Sequence, residues 1–232
     1  MTQQIDTEQL RSDFDRDGYV LLPALFPDND LADVRTMFDR FESELEDRNN
    51  DDPTEYGKFE TSPITFPLAN EPAAQTLIAH PLLHEATEAV IGASYSLTYA
   101  ASWCTRKGAG QGWHQDSFND NPDQFVLNRL IFVREITSEQ GCLYVVPGSH
   151  RAGDIPPGEN HGELPGELAI TVPTGSLALM HSRCYHRVGI NQTDKPRIQM
   201  NSRALPALAS EDTSYRAVFR TGRWDFRTNS EW

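Results

Sequence analysis

In the run Trp113-His114-Gln115-Asp116 an imidazole and a carboxylate stand two residues apart. On an extended strand, residues i and i+2 project to the same face, so His114 and Asp116 can grip one ion together. A histidine from a distant strand would complete a set of two histidines and one carboxylate. That set occupies one face of a metal and leaves the opposite positions open, the geometry of non-haem iron(II) oxygenases. His-x-Asp alone is a common dipeptide spacing and carries little weight.

The second half of the pattern lies some seventy residues on. Gly175 to His181 reads as a strand, followed by Ser182-Arg183-Cys184-Tyr185-His186-Arg187-Val188-Gly189-Ile190-Asn191, and six residues after Asn191 comes Arg197. A histidine followed eleven positions later by an arginine suits a metal ligand and a guanidinium on adjacent antiparallel strands. A guanidinium so placed can clamp one end of a dicarboxylate bidentately while the other end chelates the ion.

The elements that must position these residues can be read around them. Thr7 to Arg16 reads as a short helix stopped at Asp17-Gly18. Asp28-Asn29-Asp30 offers caps to a second helix, on which Leu31, Val34, Phe38, Phe41 and Leu45 share one face, as expected for packing on a core sheet. Residues 72–91 hold a helical pair broken at His80-Pro81. After Gly92 short β-rich runs alternate with Gly, Pro, Asn and Asp clusters, over 95–105, 126–135, 142–147, 169–172, 176–181 and 198–205. The expected fold is α+β, an antiparallel barrel or jelly roll with the N-terminal helices packed on the outside of one sheet. Residues 1–232 are expected to form a single domain. The polar segments 48–63, 117–124 and 151–167 are candidate lids or binding loops.

Composition narrows the function. Lys and Arg number 20 against 34 Asp and Glu, a net charge of −14. A field of that sign repels phosphate backbones and anionic lipid surfaces, which argues against nucleic-acid and membrane partners. The N-terminus has neither the basic start nor the apolar stretch of a signal peptide, and no apolar run is long enough to span a bilayer, so a cytoplasmic location is expected. Cys104, Cys142 and Cys184 are odd in number and widely spaced, and read as buried packing residues.

Four segments in order, FDRDGYVLLPALFP, WHQD, EQGCLYVVPGSHR and GSLALMHSRCYHRVGINQTDKPR, resemble the phytanoyl-CoA dioxygenase superfamily of iron(II)/2-oxoglutarate oxygenases, over about Phe14 to Leu205. The resemblance implies a double-stranded β-helix, the cupin-like jelly roll. It implies that His114, Asp116 and His186 bind Fe(II) and that Arg197 binds the distal carboxylate of 2-oxoglutarate, with O2 as the second cosubstrate. His186 rather than His181 matches the family's ligand, because it is the later histidine and is followed by a Gly and an Asn. Related halogenases replace the carboxylate by a small residue, so Asp116 implies hydroxylation or another oxidative outcome.

Coenzyme A carries several negative charges, a poor match to a chain of this charge. Trp103, Trp113, Phe118 and Trp224 instead suit a neutral or cationic polar substrate such as a sugar, an aminoglycoside or an amino-acid derivative. In size and acidity the chain resembles the oxygenases of orthosomycin antibiotic pathways. That resemblance implies oxidative closure of an orthoester or methylenedioxy bridge on an oligosaccharide, in bacterial specialised metabolism. Hydroxylation of a small amino-acid-like molecule is the alternative within the same chemistry. A cupin-like metal hydrolase would have no use for Arg197, and a non-catalytic sugar-binding relative could lose the three ligands. The substrate carbon, the oligomeric state, the residues at the C1 carboxylate of 2-oxoglutarate and the role of 210–232 stay open.

Overall fold

The computed structural model describes residues 5–51, 64–116, 124–153, 161–207 and 209. The first helix, α1 (Thr7–Asp17), starts at Asp6, whose side chain accepts from the Gln9 N–H, and closes at Gly18, whose N–H donates to the Phe14 carbonyl. Strand β1 (Tyr19–Leu22) follows, then α2 (Ala32–Asp51) and β2 (Ile64–Pro67). The broken helical pair is α3 (Pro72–Ile78) and α4 (Pro81–Ile91). Each has proline in its first turn, where the missing N–H costs nothing. The remaining strands are β3 (Tyr95–Thr105), β4 (Gln111–His114), β5 (Leu127–Phe132), β6 (Leu143–Val145), β7 (Leu168–Ile170), β8 (Ser176–His181), β9 (His186–Val188) and β10 (Arg197–Pro206).

These strands form two antiparallel sheets. One has six strands in the order β1-β8-β5-β10-β3-β2, and the other has four in the order β4-β9-β6-β7. This is the jelly-roll arrangement expected from the sequence. The helical stripe Leu31, Val34, Phe38, Phe41 and Leu45 is buried in one apolar cluster with Leu127, Ile131, Leu177, Leu179, Ile198 and Met200 from the outer face of the larger sheet. The helices therefore cover that face, and the stripe is core. A second cluster, with Leu130, Phe132, Leu143, Val145, Ala178 and Met180, fills the space between the sheets at one end. All three cysteines are buried and free, as expected of packing residues.

One expectation about placement needs correcting. His186 and Arg197 are not on adjacent strands: β9 pairs with β4 and β6, whereas β10 pairs with β3 and β5. The intervening residues carry the chain from one sheet to the other, so the two side chains meet across the barrel.

Strand β10 shows how a polar site is built inside an apolar fold. Ile198, Met200 and Ala204 face the helices, while Arg197, Gln199, Asn201 and Arg203 line the cavity between the sheets. Period-two alternation normally puts polar residues toward water. Here both faces are buried, and the polar one faces inward.

Candidate metal centre

His114 ends β4 and His186 opens β9, and the two are direct cross-strand partners. Asp116 lies just beyond the strand, two residues after His114. The turn that carries it is pinned to the segment before β9, where the Asp116 N–H donates to the Ser182 carbonyl at 2.7 Å and the Gln115 amide to the Arg183 carbonyl at 2.7 Å, and the same amide donates to the Gly153 carbonyl, in the segment after β6, at 3.0 Å. One ligand atom from each of His114, Asp116 and His186 can be chosen so that all three lie within 4.8 Å of one another, and all three residues are buried.

The histidines are oriented from behind. Nδ1 of His114 sits 2.7 Å from the Gly112 carbonyl, and Nδ1 of His186 sits 2.8 Å from the Cys184 carbonyl. A carbonyl only accepts, so each Nδ1 carries the proton and each Nε2 presents a lone pair, the arrangement a metal-ligating histidine needs. The Nε2 atoms face Asp116, at 3.7 Å from Oδ1 for His114 and 4.0 Å from Oδ2 for His186. Burial drives the His114 pKa down to about 3, with the neighbouring His186 adding to the effect, and burial likewise lowers His186. Both rings are neutral at pH 7 and ready to coordinate. For Asp116 burial acts upward, but Arg203 and the two histidines outweigh it and hold the pKa down at about 2. One anionic oxygen donor and two neutral nitrogen donors in a closed group suit a divalent transition metal.

Arg197 stands in the same cavity, 1% exposed, with Nη2 donating to the Gln199 side-chain carbonyl at 2.6 Å. Among the described residues no carboxylate pairs with it, and its Nε has no hydrogen-bond partner. Burial lowers its pKa to about 10, still cationic at pH 7. The Thr105 hydroxyl, also in the cavity and in register with Arg197, is likewise unpartnered. A buried cation and hydroxyl with unmet hydrogen bonds fit an anionic ligand, and a carboxylate satisfies both.

Trp103 lines this cavity. Trp113 does not: it lies on the outer side of β4, stacked on Tyr185 at 5.3 Å and with the Arg187 guanidinium 5.2 Å from its ring centroid. Its indole N–H donates to the Gly162 carbonyl at 2.7 Å, and Arg187 pairs with Glu167 at 3.0 Å. The end of the candidate lid 151–167 is thus fastened to the outside of the smaller sheet. Phe118 and Trp224 lie outside the described residues, as do parts of all three candidate loops. His181 packs between Phe125 and Phe14, with Nδ1 accepting from the Arg183 N–H, and is not in the ligand group.

Sequence reasoning missed the polar lining residues Thr105, Gln111, Asn128, Gln199, Asn201 and Arg203. For the three on β10 the signal was the alternating run Arg197-Ile198-Gln199-Met200-Asn201-Ser202-Arg203, too polar on one side for an ordinary core strand and too apolar on the other for an exposed one.

Residues 14–199 match the phytanoyl-CoA dioxygenase (PhyH) family. The fold is similar to that of the epimerase SnoN, solved with Fe3+, alpha ketoglutarate and nogalamycin RO (20% identity, 87% of this chain and 84% of that one, TM-score 0.71). It is similar also to AviO1 from Streptomyces viridochromogenes Tue57 (19% identity, 90% and 99% covered, TM-score 0.70). A third is EvdO2 from Micromonospora carbonacea var. aurantiaca, complexed with 2-oxoglutarate (19% identity, 93% and 97% covered, TM-score 0.68).

Proposed function

The chain belongs to the phytanoyl-CoA dioxygenase (PhyH) family of Fe(II)/2-oxoglutarate-dependent dioxygenases, and from that premise we propose that it oxidises an unactivated C–H bond of a polar natural product in specialised metabolism. In this reading His114, Asp116 and His186 hold Fe(II), and Arg197, with Thr105 beside it, holds the distal carboxylate of 2-oxoglutarate. The observation that carries it is the shared cavity: three converging ligand side chains and a buried arginine with an unmet hydrogen bond.

When bound, iron and 2-oxoglutarate supply the oxidising power, through oxidative decarboxylation of the cosubstrate by O2 to succinate and CO2. The protein's part is placement and exclusion of water. His114 and His186 present lone pairs fixed by the Gly112 and Cys184 carbonyls, and Asp116 supplies the one anionic ligand. Arg197 selects a dicarboxylate, because a monocarboxylate chelator would leave its charge buried and unpaired. A metal hydrolase would have no need of such a cation.

The favoured outcome is oxidative ring closure, an orthoester or methylenedioxy bridge on an oligosaccharide. A C–H bond of an acetal carbon (for the orthoester) or of a methoxy carbon (for the methylenedioxy bridge) and the O–H bond of a neighbouring hydroxyl are broken as the C–O bond forms; the two hydrogens would leave as water with the O2 oxygen not taken into succinate, and no oxygen atom is inserted. Support for a natural-product substrate comes from the fold likeness to SnoN, an epimerase from nogalamycin biosynthesis, and from a net charge of −14 that is ill matched to an acyl-CoA. Trp103 would flank the cosubstrate, and Trp113, on the outer side of β4, is set aside as a substrate contact; Phe118 and Trp224 are the further aromatic candidates.

Anaerobic titration of metal-free protein with Fe(II) and then 2-oxoglutarate tests the cofactor chemistry. The visible charge-transfer band of the chelate is expected, and its absence from well-folded protein would overturn the assignment. Assay against oligosaccharide and amino-acid panels, with succinate release as readout and product mass as arbiter, tests the outcome: loss of two hydrogens marks ring closure and gain of one oxygen marks hydroxylation.

A further inference from the structure

Asp116 is gripped on one side only. Its Oδ2 accepts from the Asn128 amide at 2.6 Å, lies 3.2 Å from Arg203 Nη2 and stands 4.0 Å from His186 Nε2, while Oδ1 faces His114 Nε2 at 3.7 Å with no donor on it among the described residues. Arg203 Nε donates to the Asn128 side-chain carbonyl at 2.8 Å, and the Asn201 amide donates to the same oxygen at 3.2 Å. With two donors on its oxygen, the Asn128 amide can only be turned with its NH2 toward Asp116. Asn128 and Arg203 are direct partners on β5 and β10, so this brace is built into strand register, with Asn128, Arg203 and Asp116 all buried.

The geometry points to Arg203 as a positioning residue with a second, electrostatic duty: it fixes Asp116 as a ligand through a single oxygen and cancels its charge. The inference rests on the iron/2-oxoglutarate reading above. Oδ2, held by two donors, is poorly placed to become a second metal donor, which keeps a coordination position open for the cosubstrate. Asp116 and Arg203 together contribute no net charge, and both histidines are neutral. The ion therefore meets the cosubstrate with its full double charge undiminished by the protein, and the buried Arg197 adds one more positive charge. Such a cavity favours a dianion strongly over a monoanion. A neutral residue at 203 would leave the Asp116 charge uncompensated, weaken the dianion, and make the iron easier to oxidise.

The test compares wild type with Arg203→Gln, Arg203→Met and Arg203→Lys, each checked for folding by circular dichroism and melting. Three readouts other than turnover are taken: 2-oxoglutarate affinity, the position of the charge-transfer band, and the Fe(III)/Fe(II) midpoint potential. In the neutral variants 2-oxoglutarate is expected to bind about tenfold more weakly, the band to move to longer wavelength and the potential to fall. In Arg203→Lys the charge is kept although the bond to Asn128 is lost, so the affinity should fall by no more than about threefold and the band should stay closer to wild type than to the neutral variants. A purely structural role would not separate lysine from glutamine in this way. A folded neutral variant with unchanged affinity, band and potential would overturn the inference and leave the cofactor reading standing. A lysine variant whose band shifts like that of a neutral one would overturn it as well, even if the neutral variants do not fold. No band in folded wild type would overturn both.

Discussion

His114 and His186 face each other directly across the β4–β9 pair, with ring centroids 4.1 Å apart. One backbone register therefore brings both nitrogen donors together, and Asp116 joins them through the turn bonded to Ser182. His181 lies only five residues before His186 but on another sheet, stacked on Phe125 with centroids 4.1 Å apart. His186→Ala should lower Fe(II) affinity by about 100-fold or more, whereas His181→Ala should leave it within a few fold and cost about 2 kcal/mol of stability from lost packing. Equilibrium dialysis with metal analysis, alongside thermal melts, separates the two.

Arg197 should show a trade between stability and function. It is a buried cation with no carboxylate among its described partners, an arrangement that costs free energy until an anion arrives. Arg197→Met removes the charge and keeps the bulk. The metal-free variant should melt at or above wild type, by about 1 kcal/mol or more, while its apparent KM for 2-oxoglutarate rises at least about 30-fold. Added 2-oxoglutarate and metal should raise the melting temperature of wild type and do little for the variant.

Much of this was legible from residue order. The stripe Leu31, Val34, Phe38, Phe41 and Leu45 shows a period that only a one-sided helix produces, and its burial follows from that period. The break at His80-Pro81 is equally local, since proline has no N–H to donate to the preceding turn and its ring clashes with that turn's carbonyl. Pairing across the barrel was less legible. In a jelly roll successive strands pass from one sheet to the other, so the closeness of His186 and Arg197 in sequence suggested neighbours where the fold makes them opposites. Arg203 and Asn128 were missed for a related reason. They lie 75 residues apart, and nothing local tells a polar residue facing a cavity from one facing water. Strand β1 was legible only as an apolar run, because its pairing with β8 is a relation between distant segments.

The site histidines predict a steep acid limb in stability. His114 has a folded pKa of about 3 against an ordinary 6.5, and His186 is displaced in the same direction, both first through burial. Between those values the unfolded chain takes up a proton that folded His114 refuses, so stability falls as pH drops from 6.5 toward 3, by about 1.4 kcal/mol per pH unit for His114, and His186 adds a loss of the same sign. Asp116, held down at about 2 from 3.8, adds a loss of the same sign below pH 4. Urea melts of metal-free protein at pH 7, 5.5 and 4.5 should show this fall, with a shallower slope in His114→Gln. Metal binding at pH 7 should displace almost no protons from these rings, so its calorimetric enthalpy should be the same in phosphate and Tris.

Gly141 gives a way to disturb the centre without touching a ligand. Its φ is +78°, in the left-handed region, and a Cβ there would lie 2.2 Å from the Gly189 carbonyl oxygen, just past the strand that carries His186. Gly108 has a nearly identical φ of +79° but open space around the same position. Both alanine variants meet backbone strain, and only Gly141→Ala also pushes on β9. Gly108→Ala should cost about 1 kcal/mol and keep wild-type metal affinity. Gly141→Ala should cost about 2 kcal/mol or more and weaken Fe(II) binding at least about fivefold, because backbone cannot yield as a flexible side chain can. Equal metal affinity in the two variants would mean that β9 is not what holds His186 in register with His114.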